Sequence, residues 1–159
     1  MVKLPDRSIY QTERAAQGEY GEQLVNEFYT NKGYDVFTNI DINGGIDTII
    51  MKDDEFETLQ IKACVRYVTK DKIGLHIGPT LKAYETIQKC DHLICVIRHP
   101  SVMIDYAFGG KIIKVVNHKK YKVSKDGNLW FPTNSSSVQI IGSISDEELE
   151  ILSSFKTSK

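Results

Sequence analysis

Apolar residues recur at helical spacing over the first part of the chain. Leu24, Val25, Phe28 and Tyr29 mark one face among alanines and glutamates, which predicts a helix from about Ile9 to Asn31. Asn31-Lys32-Gly33 supplies the stop, with a glycine suited to the left-handed position. Gly18 and Gly21 fall inside this helix, where each costs about 1 kcal/mol against alanine. Their presence points to close approach of another backbone, or to a break near Gly18. Residues 1–8 read as a loose arm.

The pattern then changes to strands. Tyr34–Thr38, Ile46–Met51 and Thr58–Ala63 are three candidates, separated by Asn43-Gly44-Gly45 and by the charged turn Asp53-Asp54-Glu55. In the third, Leu59, Ile61 and Ala63 face one way and Gln60 and Lys62 the other. Residues 72–77 form a fourth candidate. Pro79 opens a helix over about Thr80–Lys89, and His92–Ile97 reads as a buried strand. The lysine-rich stretch 111–125 reads as strand, turn and strand, followed by Asn128–Phe131, together a β-ribbon over about 111–131. Ser145 with Glu148 forms a capping box, so a short C-terminal helix runs from about Asp146 to Phe155. The expected fold class is α/β, a single domain over 1–159 with a central mixed β-sheet flanked by helices.

Length and composition agree with one globular domain: 159 residues, 41% hydrophobic and 26% charged. Twenty basic against 21 acidic residues give a net charge of −1, so any nucleic-acid partner must be held by a local patch. No apolar run approaches the roughly 18 residues that span a bilayer, and the start lacks the apolar core of a signal peptide. Three cysteines without a pattern argue against a disulfide framework. The expected setting is a reducing cytoplasm, the nucleoid or a phage-infected cell included.

The informative constellation is Glu22 on the first helix, Asp47 in the second strand and Gln60-Ile61-Lys62 in the third. A hairpin aligns Asp47 with 60–62, and Gln60 and Lys62 project from one face. A first helix lying across that face would add Glu22. Two carboxylates, an amide oxygen and an ammonium in one small space suit hydrolysis of a phosphodiester. Mg²⁺ takes oxygen ligands and keeps waters, so the carboxylates and a backbone carbonyl can hold it beside a phosphate. A neighbouring lysine can orient or deprotonate the attacking water, or steady the charged phosphorane.

These residues resemble the PD-(D/E)xK nuclease superfamily. Gly21-Glu22-x-x-Val25, Tyr29 and Gly33-Tyr34-x-Val36 look like the first helix and strand of its Holliday-junction-resolvase-like members. Gly45-Ile46-Asp47 followed by Gln60-x-Lys62 looks like the catalytic hairpin, and the helix and strand at 80–97 fit the rest of the common core. The resemblance implies a restriction-endonuclease-like core and a Mg²⁺-dependent nuclease, with Mn²⁺ as a substitute. Glu22, Asp47, Gln60 and the Ile61 backbone carbonyl would be metal ligands, and Lys62 the catalytic lysine. The glutamate usual at position 60 is glutamine here, as in a compact homing endonuclease group. The implied activity is site-specific cleavage of double-stranded DNA by a homodimer or homotetramer. Junction resolution and a catalytically silent DNA-binding module are the alternatives.

Arg66, Lys70 and Lys72 follow the catalytic strand and are candidate phosphate contacts, as are Lys111, Lys114, Lys119, Lys120 and Lys122, with Lys125 and His118 in the same stretch. The competing reading of that stretch is an edge ribbon protected by lysines. Cys90-Asp91-His92-x-x-Cys95 does not match a zinc-knuckle spacing, and its cysteines read as buried thiols. His76 is a candidate to touch the active centre or a phosphate. Trp130 and Phe131 read as core or interface residues rather than base-stacking platforms.

Overall fold

A computed structural model describes residues 9–38, 46–78, 80–100, 109–134 and 136–155. The arm at 1–8, the Asn43-Gly44-Gly45 turn and Pro79 lie outside the described residues. The elements run α1 (Ile9–Asn31), β1 (Asp35–Thr38), β2 (Thr48–Lys52), β3 (Glu55–Val68), β4 (Lys72–His76), α2 (Thr80–Lys89), β5 (His92–Pro100), β6 (Lys111–Val115), β7 (Asn128–Pro132), β8 (Val138–Ser143) and α3 (Asp146–Ser154). The described residues thus form an α/β fold, a mixed sheet of eight strands with three helices. None of these helices is long and apolar enough to cross a membrane.

The main strand path is β1-β2-β3-β5-β6-β8, with β4 on β3 and β7 on β4. β3 and β5 are parallel, and the other pairs are antiparallel. The alternation in β3 divides the core into two layers. Leu59 and Ile61 pack with Ile94, Val96 and Ile112 beneath Leu24, Val25 and Tyr29 of α1 and Leu152 of α3. On the other face Cys64, Leu93, Cys95 and Ile113 pack beneath Ala83 and Ile87 of α2. Burying one such Leu or Ile contributes about 1.5–3 kcal/mol.

α1 is continuous through both internal glycines. Gly21 is the point of close approach: a Cβ built there would lie 3.2 Å from the Cβ of Ala63 on β3. Beyond Asn31, Gly33 takes the left-handed φ of 92°. Ser145 caps α3 in a full capping box with Glu148, as the sequence predicts.

Three expectations need correction. β3 is much longer than Thr58–Ala63, running 14 residues. The ribbon over 111–131 does not form: β6 pairs with β5 and β8, β7 pairs with β4, and a 3-10 turn at His118–Lys120 lies between them. The reason is burial, since Leu129 and Phe131 belong to the core under α2 rather than to a solvated ribbon. The partner of β6 is instead β8, a strand the sequence pattern did not predict.

The long β3 leaves a gap in its own strand pairing. Along one edge it pairs with β2 over Glu55–Leu59 and with β4 over Val65–Val68. Residues 60–64 lie between these partners, leaving a notch in the sheet edge.

Candidate functional site

Asp47 sits in the notch, just before β2. Its N–H donates to the Leu59 carbonyl at 2.8 Å. Its carboxylate Oδ2 accepts the Ile61 N–H at 2.8 Å and the Gln60 amide Nε2 at 2.9 Å. The side chain therefore replaces the missing strand partner of β3. N–H and C=O of one strand residue point to the same side, so the Ile61 carbonyl also emerges at this edge.

The helix reaches the notch from the face opposite to the one expected. α1 packs on the Ile61 and Ala63 face. Gln60 and Lys62 pair with Leu93 and Cys95, whose side chains lie in the core under α2. An acid on α1 cannot meet Gln60 and Lys62 across one sheet face. It meets Asp47 at the sheet edge instead, and Asp47 in turn accepts from Gln60. Glu22 is half-buried and hydrogen-bonded to Asp47. One helical turn on, Asn26 Oδ1 accepts the hydroxyl of buried Thr48 at 2.9 Å. Residues 22 and 26 of one helix face thus engage Asp47, just before β2, and Thr48, its first residue.

The electrostatics follow from this packing. Burial pushes the Glu22 carboxyl up to about 7, and the neighbouring Asp47 carboxylate and their hydrogen bond push the same way. The Lys62 ammonium opposes the rise. Near neutral pH the Glu22 carboxyl is therefore part-protonated. Lys62 is half-buried and has no direct ion-pair partner among the described residues.

A hard cation would find oxygen donors here. The set comprises two carboxylates, the Ile61 carbonyl and Gln60, whose buried Oε1 has no hydrogen-bond partner among the described residues. A buried orphan acceptor is costly without a partner, and an oxygen-seeking cation would supply one. The donors fit such an ion. They include only two acidic side chains: among the described residues no group of three or more His, Cys, Asp or Glu is arranged to hold a metal.

The remaining candidates separate. Arg66 is 7% exposed and lies beside Leu75 of β4, on the sheet face that carries the core under α2. Lys70 and Lys72 are exposed at the turn between β3 and β4. Lys114, Lys119 and Lys120 line one cleft of about 590 Å³ with His92 and Gln139. Lys111 sits at the far end of β6, and Lys122 is exposed beyond the 3-10 turn; neither lines this cleft. Cys90 and Cys95 are buried, and burial pushes the Cys90 thiol up to about 11. His92 lies on the α1 face beside Leu59, opposite Cys95, so the Cys-Asp-His-x-x-Cys segment does not converge.

Asn26 was not read from the sequence, and His118 was read only as part of the basic stretch. Asn26 was one polar residue among many on α1, although its spacing of four from Glu22 was a usable signal. His118 is buried; its Nε2 lies 3.0 Å from the carbonyl of Cys90, which follows α2. Burial lowers its pKa. It seats the turn carrying Lys119 and Lys120 against α2, where Gln88 also donates to the Lys119 carbonyl at 3.2 Å.

Compared with protein-family models and with curated proteins, the chain matches none.

Proposed function

We infer that the protein is a metal-dependent DNA endonuclease that hydrolyses phosphodiester bonds, built on a restriction-endonuclease-like core. The observation that carries the reading is Asp47, whose carboxylate bonds Ile61 N–H and Gln60 while hydrogen-bonding Glu22. Glu22, Asp47, Gln60 and the Ile61 carbonyl would hold Mg²⁺ or Mn²⁺. When bound, such an ion neutralises phosphoryl charge and acidifies a water. The chain's own residues set up the rest. The Ile61 N–H fixes the Asp47 carboxylate at the strand edge, and α1 presents Glu22 to it. Lys62, projecting beside Gln60, offers an ammonium to a phosphate oxygen or to the attacking water.

The cleft of Lys114, Lys119 and Lys120 supplies the local positive charge that a chain of net charge −1 needs to hold a polyanion. One observation favours a second reading, a silent DNA-binding module: position 60 carries a neutral amide, and among the described residues no group of three or more His, Cys, Asp or Glu is arranged to hold a metal.

The test is incubation with supercoiled plasmid and with a synthetic four-way junction, with Mg²⁺, with Mn²⁺ and with chelator. Metal-dependent nicking that disappears in Lys62→Ala is expected. Retardation of DNA without cleavage in any metal would overturn the enzyme and favour the module.

A further inference from the structure

Beyond the notch, β3 continues into a three-stranded wing with β4 and β7. One face of the wing belongs to the core: Leu75, Leu129 and Phe131 pack under α2. The other face has a different composition. Tyr67, Gly74 and Trp130 are register partners in one row across the three strands. Val65, His76 and Asn128 form the next row, toward the notch. Lys72, paired with Pro132, lies on the same face on the far side of the aromatic row.

Trp130 is part-exposed and Tyr67 is 36% exposed, while Phe131, next to Trp130, is 2% exposed. The two aromatics expected to be alike therefore serve opposite faces. Gly74 is what lets the indole lie down on the strand: a Cβ there would come within 2.8 Å of the Trp130 ring. The His76 ring meets Tyr67 edge to face at 6.3 Å between centroids, and its Nδ1 donates to Asn128 Oδ1 at 3.1 Å. The result is a pair of aromatic side chains held in place, part-open to solvent, with a cation beside them. Val65 and Tyr67 follow Ile61 and Ala63 on the face where α1 carries Glu22.

We propose that the Tyr67–Trp130 face binds unpaired nucleobases by stacking, with Lys72 taking the adjoining phosphate. Bases inside a continuous duplex keep their faces covered, so such a face selects DNA that is single-stranded or branched next to the notch. An apolar protein partner would not use Lys72, and a duplex would not use the rings. The inference rests on the nuclease reading for its choice of nucleic acid, and it names the substrate class: DNA with unpaired bases beside the cleaved bond.

Trp130 is the chain's one tryptophan, so its emission reports contact at this face directly. The full-length protein is titrated, in chelator and without cleavage, with a short oligothymidylate, with a duplex of equal length and with thymidine monophosphate. Saturable quenching by the single strand, well beyond that by duplex or mononucleotide, is expected. Tyr67→Ala should weaken single-strand binding by about 5- to 150-fold, the usual range for one stacked base. Trp130→Ala, read by anisotropy of labelled oligonucleotide, should do the same, while Trp130→Phe keeps most of the affinity and guards against simple misfolding. Lys72→Ala should lower the salt slope by about 0.7.

Equal quenching by duplex or by mononucleotide overturns the assignment, as does unchanged affinity in folded Tyr67→Ala. Plasmid cleavage without any quenching sinks this inference and leaves the nuclease standing. Quenching without cleavage does the reverse.

Discussion

The Thr48 hydroxyl donates to Asn26 Oδ1 at 2.9 Å, one residue past Asp47 and one helical turn past Glu22. This bond fixes α1 along its axis against β2, and so decides where Glu22 meets Asp47. Thr48→Val keeps the shape and the β-branch but leaves Asn26 without its donor. The expected cost is about 1–3 kcal/mol of stability, measured by urea unfolding. Cleavage should fall as well, because the helix loses its register beside the notch. Wild-type activity in a destabilised Thr48→Val would show that the bond serves stability alone.

Gly21 against Ala63 sets the other coordinate, the distance of the helix from the sheet. Gly21→Val forces the two backbones apart and should cost about 1–3 kcal/mol by overpacking. Ala63→Gly should restore part of that stability. A double-mutant cycle in denaturant measures the coupling; additive effects would mean that this close approach does not control docking.

Glu22 makes metal-free stability depend on pH. Its ordinary value is 4.5, and in the fold it is raised to about 7, chiefly by burial. Between those values the native state binds more protons than the unfolded state, so stability falls as pH rises. The contribution is fully present below about 4.5 and gone once pH passes about 7. Glu22→Gln should flatten the profile in chelator, followed by denaturant titration at steps across this window. A slope that survives the substitution would assign it to another group.

The lysine cleft predicts a salt signature. Replacing Lys114, Lys119 and Lys120 together by alanine should reduce the slope of log affinity for duplex DNA against log salt by about 0.9 for each phosphate no longer neutralised. The Lys111→Ala and Lys122→Ala variants should change it less, since neither lines the cleft. Metal binding at the notch, measured by calorimetry, should be untouched in the triple variant.

The capping box offers a stability control away from the site. Ser145→Ala removes the acceptor of the Glu148 N–H and should cost about 1 kcal/mol, with cleavage unchanged. Calorimetric melting and the plasmid assay report the two effects separately.

Much of this architecture is local and legible in the chain. The limits of α1 and α2, the start of α3 and the hairpin joining Asp47 to 60–62 rest on periodicity, caps and turn residues within a few positions of each other. β8 is not legible. Val138–Ser143 has no clean alternation, and it is a strand because the open edge of β6 supplies its hydrogen bonds. The lysine stretch misleads for a related reason. Alternation shows which residues can lie in a strand, but not which strand they join, and β7 is drawn to β4 by the core beneath α2.

At the site, chain order and spacing named Glu22, Asp47, Gln60 and Lys62. Residue order alone dictates which side chains share a face of β3, because a strand alternates by covalent geometry. Three-dimensional packing was needed to choose the Ile61 and Ala63 face for α1. It was needed too for Glu22 to reach Asp47 through a gap between β2 and β4. The physical reason is that apolar residues draw helices to both faces of β3, and the choice between them depends on close approaches such as Gly21 on Ala63, made between segments some forty residues apart.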